Sequence, residues 1–259
     1  MAEEQKEIND KYELTSIKIR IGDTVLYKIR AISDFGDIKT GDYGGYVESE
    51  NNLSFKHNED GSLIDNAWIY DEGIVYGGAT VSGDAKVKDF ARIHGNASVK
   101  DSSIVSGNAT VYGDSIVSES AHVFGNTKIY GSSRIYGSAE VFGNARIYEN
   151  ARVFDKAKVY GNAWAYGNSQ IYDEASVFGN VQVFDNAWVY GKAKVYENIR
   201  LFGYISVLDT SEVFGNGWFE SEVRVNWDDR LYNNTQLVGN DRMCSLLLEY
   251  IDGRFTYKN

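Results

Sequence analysis

The chain has no proline and a single cysteine, Cys244, among its 259 residues. At the usual ~5% a chain this long would carry about a dozen prolines, so their absence points to a backbone in which almost every N–H must donate, as in a long sheet-like ladder. One cysteine excludes an internal disulfide framework, a cysteine-built zinc site and a CxxC redox pair, and it suits a reducing compartment. No run approaches the ~18 apolar residues of a membrane span. The start, Met1-Ala2-Glu3-Glu4-Gln5-Lys6-Glu7, has no apolar stretch behind a basic one. The expectation is a cytoplasmic chain with no membrane partner.

Basic residues are outnumbered, 26 to 37, and the net charge of −11 sorts unevenly. Residues 1–62 carry −5, residues 63–225 carry −5 over a far longer stretch, and the remainder carries −1. The long middle is thus only mildly acidic, which argues against a nucleic-acid mimic, and nucleic acid is not an expected partner. Aromatics, by contrast, are abundant, with 19 Tyr, 12 Phe and 5 Trp.

Their place emerges from a repeat. Stepping by six from Leu63 through Val81, Val99, Val117, Ile135, Val153, Ile171, Val189, Val207 and Val225 to Leu237 meets 30 apolar positions without an insertion or deletion. Two residues before most of these sits a small residue such as Ala67, Ala85, Ser103, Ala121, Ala139 or Ala157, enlarged late in the series to Val181, Ile199 and Ile205. Alternation puts the small and aliphatic residues on one face of a short strand and the residue between them on the other. The remaining two positions are most often Gly-Asn or Gly-Asp, as in Gly95-Asn96 and Gly143-Asn144. Such residues tolerate a left-handed backbone, so each rung is a strand followed by a turn.

This pattern resembles the hexapeptide-repeat proteins. The resemblance implies an all-β fold, a left-handed triangular parallel β-helix with three rungs per coil, here nine to ten coils and ~45 Å long. Expected boundaries are an N-terminal β-rich cap at 1–62, the repeat at 63–237 and a C-terminal element at 238–259. In the cap, alternating Ile17, Ile19, Ile21 and Val25, Tyr27, Ile29 around Gly22-Asp23 read as a hairpin. At the other end Asn240 or Asp241 can cap a short helix carrying Met243, Leu246, Leu247 and Tyr250, closed by Gly253. The segment Tyr27–Leu53 followed by Gly-Asn-Ala rungs is also similar to a narrower group, the YdcK-like proteins of bacteria and their phages.

Hexapeptide-repeat acyltransferases use a histidine base beside a projecting loop. The chain offers His57, His94 and His122, with the last two on different faces by rung count, and no loop interrupts the repeat after Leu63. His94 and His122 are therefore expected to be solvated surface residues, and no catalytic residue is assigned. The γ-carbonic anhydrases need three histidine ligands including an i,i+5 pair, which is absent, as is the Ca²⁺-binding GGxGxDxUx nonapeptide. No metal or cofactor is expected.

The outward positions carry the remaining information. From Phe124 to Phe214 the residue after each aliphatic is aromatic in 15 of 16 rungs, Leu208 being the exception. Residues 18 apart stack, so Tyr130, Tyr148, Tyr166, Phe184 and Phe202 should form one ladder that reinforces coil pairing. The mid-strand positions of the third face run Arg92, Thr110, Lys128, Arg146, Trp164, Gln182, Arg200, Trp218, with no acid among them. Trp, Tyr and Arg dominate binding hot spots. Lys128, Tyr130, Arg146, Tyr148, Trp164, Tyr166, Arg200 and Trp218 are accordingly the expected protein-binding residues.

The favoured function is a non-catalytic scaffold or binding protein, a homodimer or homotrimer acting through the prism wall. In the phage setting that the resemblance implies, its target is a host protein, such as a defence protein. The alternatives are an acyltransferase-like enzyme with an inter-subunit site, and a glycan-binding or virion-associated module using Trp164, Trp188 and Trp218.

Overall fold

In the computed structural model, residues 8–59, 63–220, 224–225, 230–233, 236–238, 249–251 and 254–256 are described. They form an all-β chain dominated by a three-faced parallel β-solenoid of about nine turns. A rung is two residues long, as in Glu140–Val141 or Arg146–Ile147, with the first side chain outward and the second fully buried. Each rung pairs in parallel with the rung 18 residues on, as when Arg146 and Ile147 face Trp164 and Ala165. The small residues join the aliphatic ones in a single core running from Ala67 and Ile69 to Val225. Where the aliphatic shrinks to Ala165, the neighbouring coil enlarges its small position to Val181, and both are fully buried, so core volume is conserved.

The turns have a chemistry that glycine tolerance alone does not supply. Among the described residues, every non-glycine residue with positive φ is Asp or Glu: Asp71, Asp89, Asp101, Glu119, Glu149, Asp155, Asp173, Asp185, Glu197 and Asp209. In most of these turns the carboxylate reaches along the prism and accepts the turn N–H one coil further, from Gly107 to Asp89 at 2.8 Å, Gly167 to Glu149 at 2.8 Å and Gly191 to Asp173 at 3.0 Å. Part of the prism's acidity is thus a backbone-capping device. Elsewhere the position is glycine, and at Gly137 (φ +70°) an added Cβ would lie 2.6 Å from the Asp155 nitrogen.

The N-terminal hairpin forms as β1 (Tyr12–Ile21) and β2 (Thr24–Ala31), turning at Gly22 with φ 57°. β3 (Tyr43–Val47) pairs antiparallel with β2 and parallel with Ile74–Val75, which splices the hairpin onto the third face. Parallel pairing therefore reaches back beyond Leu63, since Val47 faces Val75 and Leu53 faces Val81. These partners are 28 residues apart instead of 18, and the extra length is folded into a segment closed by the His57–Leu63 bridge. Trp68, Tyr12 and Phe35 fill this end of the core with edge-on rings 5.4–6.3 Å apart. Buried Lys11 ties it down, donating to the Ser54 carbonyl at 2.8 Å and to Asp65 at 3.3 Å.

The C-terminal helix expected over 240–253 needs correction where it can be seen. Residues 240–248 and 252–253 lie outside the described residues, but Tyr250 is in a strand, Glu249–Ile251, paired antiparallel with Arg254–Thr256. The β-rich Glu-Tyr-Ile and Arg-Phe-Thr triplets flanking Asp252-Gly253 make a hairpin signal that competes with the apolar stripe.

Two stability predictions follow from this packing. Val141→Asp, which buries a charge without a partner, should cost more than about 4 kcal/mol, whereas Arg146→Asp at an exposed position should stay within about 1 kcal/mol in denaturant titrations. In the turns, Asp173→Ala should cost about 1–2 kcal/mol because it loses both the hydrogen bond and tolerance of positive φ, while Asp173→Gly should be closer to neutral.

Candidate functional site: the third face

Parallel pairing brings all eight expected binding residues onto one wall. Lys128, Arg146, Trp164, Gln182, Arg200 and Trp218 occupy consecutive rungs. At ~4.8 Å per strand this row is about 24 Å long. Lys128, Arg146, Arg200 and Trp218 are exposed, and Trp164 is half-buried. The Arg146 guanidinium sits over the Trp164 ring, 4.9 Å from its centroid, a cation–π contact between neighbouring coils.

Beside this row runs the aromatic ladder. Tyr130, Tyr148 and Tyr166 stack at 4.8 Å with planes within 4° of parallel, and Phe184 and Phe202 continue the column. The spacing is that of paired strands, and parallel rings at this separation are offset, the favourable arrangement. Burial, with flanking Tyr166 and Tyr130, pushes the Tyr148 hydroxyl up to about 12, so the phenol stays neutral. Burial likewise raises Tyr130 and Tyr166.

The faces differ in how charge is handled. On the first face Lys158 pairs with Glu140 at 3.1 Å, and Glu212 holds Lys194 at 3.4 Å and Arg230 at 3.1 Å. On the third face Arg92, Lys128, Arg146 and Arg200 have no ion-pair partner among the described residues. The second face carries Arg134 beside Arg152 and then turns uncharged at Gln170, Trp188 and Ser206.

The histidines fall in three environments. His57 contacts Asp10 at 2.8 Å in the N-terminal region. His122 is exposed on the first face between Ile104 and Glu140. His94 departs from the expectation of a solvated ring, because it is half-buried and sandwiched between Tyr76 and Tyr112 at 5.0 Å each. The third-face ladder therefore starts at Tyr76, well before the aromatic band, and runs through eight rings. Tyr76 and Tyr112 at ±18 from His94 were the available signal. Among the described residues no three His, Cys, Asp or Glu side chains converge to hold a metal ion, and no helix is long and apolar enough to cross a membrane.

The fold and the wall define a parallel β-solenoid protein, and comparison with known proteins refines that class. The YdcK β-solenoid repeat family model matches residues 105–119. The Escherichia coli (strain K12) protein called uncharacterized acetyltransferase YdcK is 39% identical over 64 residues, which is 24% of this chain and 17% of that protein. Over these stretches the solenoid repeat of this chain is YdcK-like.

The stacked histidine gives a pH prediction. Burial, then the Arg92 charge, lowers the His94 pKa below its ordinary 6.5. The unfolded chain then binds more protons over that window, so the stability His94 contributes is full above about 6.5 and is lost as the pH falls below it. Replacing it with the ladder's usual residue, His94→Tyr, should shrink the drop in melting temperature between about pH 7.5 and about pH 5 relative to the parent.

Proposed function

We propose that the chain is a non-catalytic binding module whose third face docks a carboxylate-rich surface of a partner protein. The observation that supports it is the row of unpaired cations interleaved with Trp164 and Trp218 beside a continuous ring ladder, on a molecule whose first-face cations are neutralised internally. Such a wall supplies both halves of a protein interface, apolar area from the rings and long-range attraction from the cations. Its side chains are already ordered by stacking, which reduces the entropic cost of docking. The same wall can serve self-association, and the partner in this reading is either a host-cell protein or a second copy.

The test is co-purification from the natural source followed by affinity measurement on the identified complex. The triple change Arg146→Ala, Trp164→Ala, Arg200→Ala should weaken association by at least about 100-fold, with reduced salt dependence and an unchanged fold. Lys158→Ala on the first face should leave affinity intact. Retained binding by the triple variant would sink the proposal.

The relative's name supports a second reading, acyl transfer between protomers. His122, exposed on a strand, is the residue available as a base in it. Acetyl transfer from acetyl-CoA that is lost in a stably folded His122→Ala variant would replace the first reading.

A further inference from the structure

The second face has a feature that the six-residue pattern does not announce. An open groove of about 340 Å³ is lined by Asn168, Gln170, Asn186, Trp188, Tyr204 and Ser206. That volume is at the lower end for small-molecule sites, with room for a mono- or disaccharide. Its aromatic walls are unusually bare, since Trp188 is 41% and Tyr204 68% exposed. None of the lining residues is ionisable near neutral pH.

Tyr204 is the anomaly. The turn column to which it belongs reads Gly78, Asn96, Asp114, Ser132, Asn150, Asn168 and Asn186 in the earlier coils, all small or amide. The amides chain together, Asn150 donating to Asn168 at 3.3 Å and Asn168 to Asn186 at 3.4 Å. At the next step tyrosine replaces the acceptor, and the Asn186 Nδ2 group has no acceptor among the described residues. The Gln170 amide and the Ser206 hydroxyl, one rung to either side of Trp188, are also without a side-chain partner there. Two exposed rings thus border free amide donors and acceptors.

We propose that this groove binds an uncharged sugar unit of a glycan. A pyranose presents a face of C–H bonds and a rim of hydroxyls. The C–H face matches the electron-rich ring of Trp188 or Tyr204, and the hydroxyls match amides that both donate and accept. An anionic ligand would find no cation in the lining, because Arg152 lies one rung before Gln170 and outside it. A purely apolar ligand would bury the free amides unsatisfied. The site is on a different face from the basic wall, so it stands or falls independently of the protein-docking reading.

The experiment is calorimetric or saturation-transfer titration of the full chain with neutral probes, cellotriose, maltotriose, chitotriose and N-acetyllactosamine, against sialyllactose and a tryptic peptide mixture. At least one neutral probe should bind, and Trp188→Ala should weaken it by about tenfold or more. Tyr204→Asn should do the same while extending the amide column, so the fold is retained and its thermal stability does not fall. Lys158→Ala, on the first face, should leave sugar binding unchanged. Binding of the sialylated sugar or the peptides alone, binding unaffected by both second-face variants, or no neutral probe bound would each overturn the proposal.

Discussion

One constraint organises the molecule: backbone pairing between residues 18 apart, at the strand spacing, on all three faces. Phe124 donates to the Val141 carbonyl at 3.0 Å, Phe142 to Val159 at 3.0 Å and Tyr160 to Val177 at 3.0 Å, and so on along the prism. Each outward side chain is thereby set about 4.8 Å from its counterpart in the next coil. Groups that tolerate a copy of themselves at that distance are favoured. Rings do so by offset stacking, and the columns Phe124–Phe214 and Tyr136–Tyr190 repeat it on the other edges at 4.8–5.1 Å. Amides do so because they carry both donor and acceptor, and the column from Asn108 to Asn198 passes one hydrogen bond from coil to coil at 2.8–3.2 Å.

Charges do not share that tolerance. Like ions at this spacing repel by about 1 kcal/mol or less in water, so a column of them is tolerated only when solvated, and opposite ions in successive coils are preferred. The first face adopts the second solution with Glu140–Lys158 and Lys194–Glu212. The turns adopt a third, in which carboxylates at the left-handed position, such as Asp89, Asp101 and Glu119, are directed at a backbone N–H of the next coil. Lys128 beside Arg146 on the third face, like Arg134 beside Arg152 on the second, is an arrangement that internal pairing does not account for; on the third face the cations also flank Trp164 and a continuous ring ladder, and that combination is the basis of the docking proposal.

The prism was legible because its signal is a strict period, and a period survives any local ambiguity about whether a Val belongs to strand or helix. The core positions, the three aromatic columns and the membership of the third face all follow from counting by six and eighteen. What escaped was information that does not repeat. Val47 and Leu53 belong to the ladder, but a ten-residue excursion breaks their register, and only the spatial pairing with Val75 and Val81 restores it. Tyr250 sits in a strand because a single apolar stripe with one Gly stop does not distinguish a short helix from a hairpin. The capping role of the acidic turns is not legible in the sequence because their partner is a backbone N–H, which has no letter there.

The same reasoning separates structure from candidate function along the prism. In a solenoid whose stability is a sum of near-identical coil interfaces, a residue resembling its column needs no further explanation. A departure does. His94 departs from a tyrosine column, yet two ring neighbours account for it. Val181 departs from an alanine column, and Ala165 accounts for it. Trp164 follows two cations on its face and is engaged by one of them, Arg146. Tyr204 alone among these has neither a ring neighbour nor a recorded hydrogen bond, stands 68% exposed, and ends an amide column that would have continued with asparagine. Because the fold gains nothing visible from a tyrosine there, the residue's cost in lost amide pairing is best understood as serving something outside the chain.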